Sequence, residues 1–202
     1  MAWKTTDTKD KLLDAAREEF SKYGFADASL RRIATTVGIA APSVYNHFSS
    51  KAEMFSALVE PVIQKISETF HAADEQKQET LNQHDTEQAF EKDNTMRPIL
   101  DFVFENLEDV KLLLFCSQGT EYENILDKAA KMESNATWRM MEEAGYPPMS
   151  EHQKETLFLL MRHQYQTYAE AIRLGFSKER TAEYWKAVRE FYDAGWHKML
   201  SS

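Results

Sequence analysis

The chain has 202 residues, 43% of them hydrophobic and 28% charged, which suits one domain, or one with a small appendage, and excludes wholesale disorder. Its 24 Lys plus Arg against 33 Asp plus Glu give a formal net charge of −9. Averaged over the whole chain, that acidity argues against a nucleic-acid partner, whose phosphates it would repel.

In chain order, Leu12, Leu13, Ala16, Phe20 and Tyr23 recur at helical spacing and stop before Gly24, which predicts a first helix. Ser29 to Val37 reads as a second, short helix with Leu30, Ile33, Ala34 and Val37 facing inward. Gly38-Ile39-Ala40 makes a three-residue turn, and Ala41 to Phe48 a third helix with Val44 and Phe48 pointing inward. Two short helices joined by such a turn form the helix-turn-helix pattern, although the spacing alone fits a plain helical hairpin equally well. A capping box, Ser50-Lys51-Ala52-Glu53, opens the next stripe, Met54, Phe55, Leu58, Val62, Ile66 and Phe70, with a kink expected at Pro61. The segment from Ala72 to Thr95 is rich in Gln, Glu and Asp and reads either as an exposed helix or as a mobile connection.

Past residue 95 the composition changes, with seven of the nine methionines and three of the four tryptophans. The boundary divides a small N-terminal unit, 1–50, from a larger helical body, 51–202. Two more capping boxes are expected, at Thr120-Glu121-Tyr122-Glu123 and Ser150-Glu151-His152-Gln153. Two long stripes close the chain: Leu157, Leu160, Met161, Tyr165, Tyr168 and Ile172, then Trp185, Val188, Phe191, Tyr192, Trp196 and Met199. Gly24, Gly38, Gly119, Gly145 and Gly175 each follow a helix-periodic stretch, where a left-handed residue would end it. No β-periodic run or hairpin turn interrupts this pattern, so the fold class is all-α.

The outward positions of the helix-turn-helix suit DNA. Pro42 fits a first helical turn and leaves neighbouring N–H groups to phosphate. Ser43 and Asn46 carry short polar groups that match base edges, Asn pairing naturally with adenine. Tyr45 and His47 offer rigid donors to backbone oxygens, which set register. Lys51 can add a phosphate charge, and Arg31 can reach the backbone or a neighbouring base.

Gly24, Ile33-Ala34, Gly38, Val44-Tyr45-Asn46-His47-Phe48 and Ser50-Lys51-Ala52-Glu53-Met54-Phe55 together resemble the DNA-binding domain of the TetR family of transcriptional regulators. The match covers roughly residues 8 to 60, running on through the connecting helix. It implies a homodimeric repressor on a palindromic double-stranded DNA operator, with a C-terminal domain that takes a small-molecule inducer. Positions matching Ser43, Tyr45 and His47 meet DNA in the family, and that matching Lys51 meets phosphate. Ala40 and Ala41 lack the Ser and Lys often found there. Arg32 replaces a usual acidic residue, forfeiting a capping box from Ser29 while adding positive charge near the DNA face.

The resemblance also gives the body its roles. Phe102, Phe115, Gln118, Tyr122, Trp138, Met141, Phe158 and His163 would wall an inducer pocket, aromatic with a few polar handles. Tyr165, Tyr168, Ile172, Trp185, Val188, Tyr192 and Trp196 would form a four-helix dimer interface, or else merely cover the monomer core. No catalytic residue, cofactor or metal ligand is expected, since Glu68-Thr69-Phe70-His71 lacks the second copy a di-iron bundle needs. The five-residue run Leu112 to Cys116 is far short of a membrane span, and the lone Cys116 suits a reducing cytoplasm. Rival readings are an activator of the same fold, or an all-α ligand-binding protein or enzyme with a vestigial helix-turn-helix. The charge objection itself narrows by region. Residues 1–50 hold 7 Lys plus Arg against 6 Asp plus Glu, so the acidity belongs to the remaining 152, with 17 against 27.

Overall fold

The first helical stripe buries Leu12, Ala16 and Phe20 completely, and the chain leaves that helix where Gly24 turns to φ 70°. A computed structural model describes residues 5–82, 96–143, 145 and 147–200, and among these every regular element is an α-helix. The helices are α1 (Thr5–Asp27, bent at Gly24), α2 (Leu30–Val37), α3 (Ala41–Val44) and α4 (Lys51–Asn82). They continue as α5 (Met96–Glu105), α6 (Leu107–Phe115), α7 (Ile125–Glu143), α8 (Glu151–Arg173) and α9 (Lys178–Leu200). None is long and apolar enough to cross a membrane.

Packing divides the chain into two compact units, one ending at Glu123 and the other beginning at Asn124. The expected boundary after residue 50 therefore separates sequence regions that share a packed unit, because α1–α3 are built onto α4–α6. In that unit Phe55 of α4 meets Phe20 edge-on at 5.1 Å, Phe25 at 5.4 Å and Tyr122 at 6.2 Å. Phe20, Phe48 and Phe55 are all at most 2% exposed. Burial of each such ring contributes about 1.5–3 kcal/mol before chain entropy is counted. Arg17 of α1 forks onto Asp109 of α6, Nε at 2.6 Å and a terminal nitrogen at 3.2 Å. The Phe25 amide donates to the Cys116 carbonyl at 2.9 Å.

The capping boxes fare differently. Ser150 and Gln153 form the full reciprocal box at the start of α8. At α4, Ser50 Oγ accepts from the Glu53 amide, but the Glu53 carboxylate reaches one residue further back, to the Ser49 amide. Thr120 to Glu123 starts no helix. Thr120 turns its hydroxyl to the Ser117 carbonyl, the Glu123 carboxylate accepts from the Gly119 amide, and α7 waits until Ile125. Asn106, with φ of −124° and ψ of 33°, separates α5 from α6. Helix α4 runs through Pro61 to Asn82, giving the first part of the Gln-rich segment a helical backbone; residues 83–95 and the Phe70 side chain lie outside the described residues.

The second unit is α7, α8 and α9. Ala130, Leu157 and Met161 form a buried cluster, with Trp138, Met149, Phe158 and Tyr165 packed against it. Asp127 of α7 accepts from Arg162 Nε of α8 at 2.9 Å. The α8–α9 connection is the four residues 174–177.

Candidate nucleic-acid interface

The helix-turn-helix is fixed from its ends inward. Helix α2 buries Ile33 and Ala34 and closes at Gly38, whose φ of 79° is the left-handed conformation that glycine adopts without strain. The Ile39 amide donates to Ala34 O at 3.0 Å and the Gly38 amide to Thr35 O at 3.1 Å, the paired bonds of a Schellman motif. Gly38 to Ala40 then form the turn, as the spacing predicts, and α3 begins at Ala41 with Pro42 in its first turn.

Helix α3 is shorter than expected. It is α-helical only through Val44; from there the Asn46 and His47 amides bond three residues back, to Ser43 and Val44. This tightening lets Phe48 turn into the core, 2% exposed, beside the fully buried Val44. The Ser43 amide donates to Ala40 O at 2.8 Å, so it is not among the N–H groups left for phosphate beside Pro42.

The two inward side chains leave the rest of the turn facing out. Pro42 and Asn46 are exposed, Tyr45 is 60% exposed, and Ser43 and His47 are half-buried. Arg31 is exposed on α2. All six are more exposed than Ile33, Ala34, Val44 and Phe48, which are buried. An exposed tyrosine of this size on a short polar turn is poorly explained by packing and well suited to a partner.

Lys51 is placed differently from a simple phosphate contact. Its Nζ donates to Phe25 O at 2.6 Å, Ala26 O at 3.0 Å and Ala28 O at 3.0 Å, and lies 4.6 Å from the Phe25 ring centroid.

Arg32, whose charge was expected to strengthen the DNA face, has partners within the domain. Its Nε donates to Glu19 at 2.7 Å and a terminal nitrogen to Asp27 O at 2.8 Å, with the guanidinium stacked 4.3 Å over Tyr23. Ser29 makes no side-chain cap on α2, in keeping with the lost capping box. Glu19 of α1 fills that role from outside, accepting from the Ser29 amide at 2.8 Å. Burial opposes ionisation of Glu19, but the bonds from Arg32 and Ser29 outweigh it and hold the carboxyl below the usual carboxylate range. Glu19 was missed in the sequence, although a charged residue on the stripe through Leu12, Ala16 and Tyr23 was a legible signal.

Residues 12–58 match the family of bacterial regulatory proteins, tetR family. The chain carries a tetR-family helix-turn-helix domain at its N-terminus. The chain is 38% identical over 52 residues to the HTH-type transcriptional regulator UidR of Escherichia coli K12, covering 26% of each chain. It is 36% identical over 50 residues to the HTH-type transcriptional repressor AcnR of Corynebacterium diphtheriae, covering 25% of this chain and 26% of that one. It is 38% identical over 53 residues to the HTH-type transcriptional regulator SrpR of Pseudomonas putida, covering 26% and 25%. The likeness thus spans about a quarter of this chain and of each of these relatives.

The residues expected to wall a pocket fall in both units. Phe102, Phe115, Gln118 and Tyr122 belong to the first, and Trp138, Met141, Phe158 and His163 to the second. Tyr122 is 8% exposed, its phenol occupied by Ser56 Oγ at 2.9 Å and Glu60 Oε1 at 3.0 Å. Trp138 and Phe158 are brought together on the Ala130–Leu157–Met161 core, Lys154 lying 4.3 Å from the Trp138 ring and Lys131 5.2 Å from that of Phe158. Gln118 and His163 are exposed, His163 Nδ1 lying 2.7 Å from Leu159 O. The Met141 side chain lies outside the described residues.

Part of the expected dimer face is internal. Ile172, Trp185 and Val188 are buried within the chain, and Trp185 donates its indole N–H to Tyr168 O at 3.0 Å with the two rings 5.7 Å apart. Tyr165 packs on the α7–α8 core, and Tyr192 is half-buried edge-on to Phe191. The physical reason is the hairpin itself: α8 and α9 must bury one face against each other before any face remains for a second subunit. Phe191, at 75% exposure, is a large apolar side chain that α9 turns outward. The Trp196 side chain lies outside the described residues.

Proposed function

We propose that this protein is a DNA-binding transcriptional regulator that works as a homodimeric, ligand-responsive repressor in the cytoplasm. The observation that carries the reading is the outward turn on the tetR-family domain. Tyr45 and Asn46 are exposed on a scaffold whose inward side chains, Val44 and Phe48, are fully engaged. The turn's N-terminal end enters the major groove, where Ser43 and Asn46 read base edges and Arg31, Tyr45 and His47 contact backbone oxygens. One short turn reads too few bases for useful specificity, so two copies acting on a palindrome supply the rest. The half-sites then lie about 34–36 Å, or a multiple of that, apart. The exposed surface of α8 and α9, Phe191 included, supports dimerisation through the C-terminal helices.

The body, residues 51–202, binds a small molecule that the two states of the dimer bind unequally, and α4 carries the change to the DNA-binding unit. Tyr122 supports this route, because its hydroxyl ties the segment after α6 to α4 one helical turn apart, at Ser56 and Glu60. Arg17–Asp109 and the Phe25–Cys116 backbone bond tie α1 to α6 and the segment beyond it.

The test is selection of duplexes from a random library by the full-length protein, followed by gel shift. A palindromic consensus bound at submicromolar protein and weakened by salt supports the reading. Failure to enrich any sequence overturns it and favours a ligand-binding protein with a vestigial helix-turn-helix. Release of the selected duplex by a screened small molecule separates a ligand-responsive repressor from a constitutive DNA binder.

A further inference from the structure

The connection between α1 and α2 is an unusual stretch of backbone. Gly24, at φ 70° and ψ 169°, ends the regular part of α1, and the next turn directs three carbonyls, those of Phe25, Ala26 and Ala28, toward one point. Converging carbonyl dipoles at the end of a helix form a negative pocket that attracts a cation and is costly to leave empty. The ammonium of Lys51, first residue of α4, fills it. It has three N–H donors and faces three carbonyl oxygens at 2.6, 3.0 and 3.0 Å, and the Phe25 ring adds its face at 4.6 Å. No donor is left over for a phosphate while this arrangement holds.

We propose that Lys51 is a positioning residue that locks the α1–α2 connection to the start of α4 and so sets the aim of the helix-turn-helix, rather than a cation that touches DNA. The residue lies where both ends of the recognition unit meet. Ahead of α2, the locked carbonyls lie beside Ser29, whose amide Glu19 holds. Behind α3, Lys51 follows Ser49 and Ser50, which are pinned through Glu53. Helices α2 and α3 are thus clamped at entry and exit by three charged side chains from neighbouring helices, Glu19, Lys51 and Glu53, in a chain whose Ser29 makes no cap of its own. Loss of the ammonium frees three carbonyls and lets the connection swing, which blurs the register of Ser43 and Asn46 on base edges while leaving non-specific phosphate attraction intact.

The inference rests on the DNA-binding reading for its functional half only; its structural half is measured without DNA. Lys51→Arg keeps the charge, but a planar guanidinium cannot direct three N–H bonds at one converging point as an ammonium does. Full-length protein carrying Lys51→Arg or Lys51→Ala is compared with wild type by thermal unfolding, and by fluorescence anisotropy on a selected duplex and a random 30-base-pair duplex. Both variants should melt about 3–10 °C lower. Well below that melting temperature, both should bind the selected duplex about tenfold or more weakly, with affinity for the random duplex little changed. The slope of log affinity against log salt should stay at the wild-type value in both.

A phosphate contact predicts otherwise and would overturn the proposal. In that case Lys51→Arg retains affinity, and Lys51→Ala lowers the salt slope by about 0.9 per subunit with the melting temperature unchanged. A purely structural role also overturns it, showing as a lower melting temperature with unaltered preference for the selected duplex. If no duplex can be selected at all, the proposed function fails, whereas the melting shift of Lys51→Arg still reports on the clamp.

Discussion

Tyr122→Phe deletes one oxygen from the link between the segment after α6 and helix α4. The phenolic oxygen lies 3.0 Å from Glu60 Oε1 and 2.9 Å from Ser56 Oγ. A carboxylate only accepts, so the phenol donates to Glu60 and its oxygen is left to accept from Ser56. A hydrogen bond to a charged group contributes about 1.5–3 kcal/mol when sheltered, but Glu60 is exposed and water replaces much of what is lost, which brings the expected cost to about 1 kcal/mol. The ring stays, so the 6.2 Å contact with Phe55 is kept and no cavity opens. For a chain of this size that cost lowers the melting temperature by about 2–4 °C.

The assay is urea unfolding of the full-length protein as a double-mutant cycle with Glu60→Gln. Tyr122→Phe should cost measurably less in the Glu60→Gln background, with a coupling of about 0.5 kcal/mol or more. The pH dependence supplies a second check. Burial first, then Glu60, pushes the phenol's pKa above its ordinary value of 10, with Ser56 opposing. The contribution of the neutral phenol is therefore complete below pH 10 and is lost as pH rises through the raised folded value, so the gap between wild type and Tyr122→Phe should narrow there. Strictly additive costs, or a Tyr122→Phe protein as stable as wild type across this range, would refute the link.

Three other outcomes are expected. Gly38→Ala forces a side chain into φ 79° and should destabilise the protein by about 1 kcal/mol or more in urea unfolding, with open space around the added methyl excluding a clash as the cause. The depressed pKa of Glu19 gives a stabilisation present above pH 4.5 and lost as pH falls through the lower folded value; Glu19→Gln should therefore show a flatter acid limb in pH-dependent melting. Thr181 is fully buried in α9 with no partner for its hydroxyl among the described residues, so Thr181→Val should leave the melting temperature unchanged or raise it by about 2–4 °C.

Local rules carried most of the helical layout. Helix ends at Gly24, Gly38 and Gly175 follow from backbone chemistry within a few residues, and all three carry positive φ. Val44 and Phe48 were legible as the inner pair because only i,i+4 spacing was needed. The points that the sequence does not show all depend on distant partners. Lys51 and Arg32 look like free cations in the sequence, because the carbonyls of residues 25–28 and the carboxylate of Glu19 lie 13 or more positions away along the chain. Asp109 is separated from Arg17 by 92 positions, and no pattern pairs them. Thr120-Glu121-Tyr122-Glu123 satisfies the capping-box spacing, yet its groups are drawn to Ser117, Gly119, Ser56 and Glu60. For Trp185 and Ile172 the sequence leaves a dimer face and a core face both open, because an apolar stripe does not say whether a sister helix or a sister subunit covers it.

The central claim, that the turn from Pro42 to His47 reads DNA, is tested most directly by Tyr45→Ala combined with Asn46→Ala. Both residues are exposed, so truncation should leave the melting temperature of the full-length protein within about 1–2 °C of wild type. Anisotropy on the selected duplex should nevertheless show affinity lost by about tenfold or more for each subunit's pair of contacts. Undiminished affinity in that double variant, with the protein folded, would contradict the account.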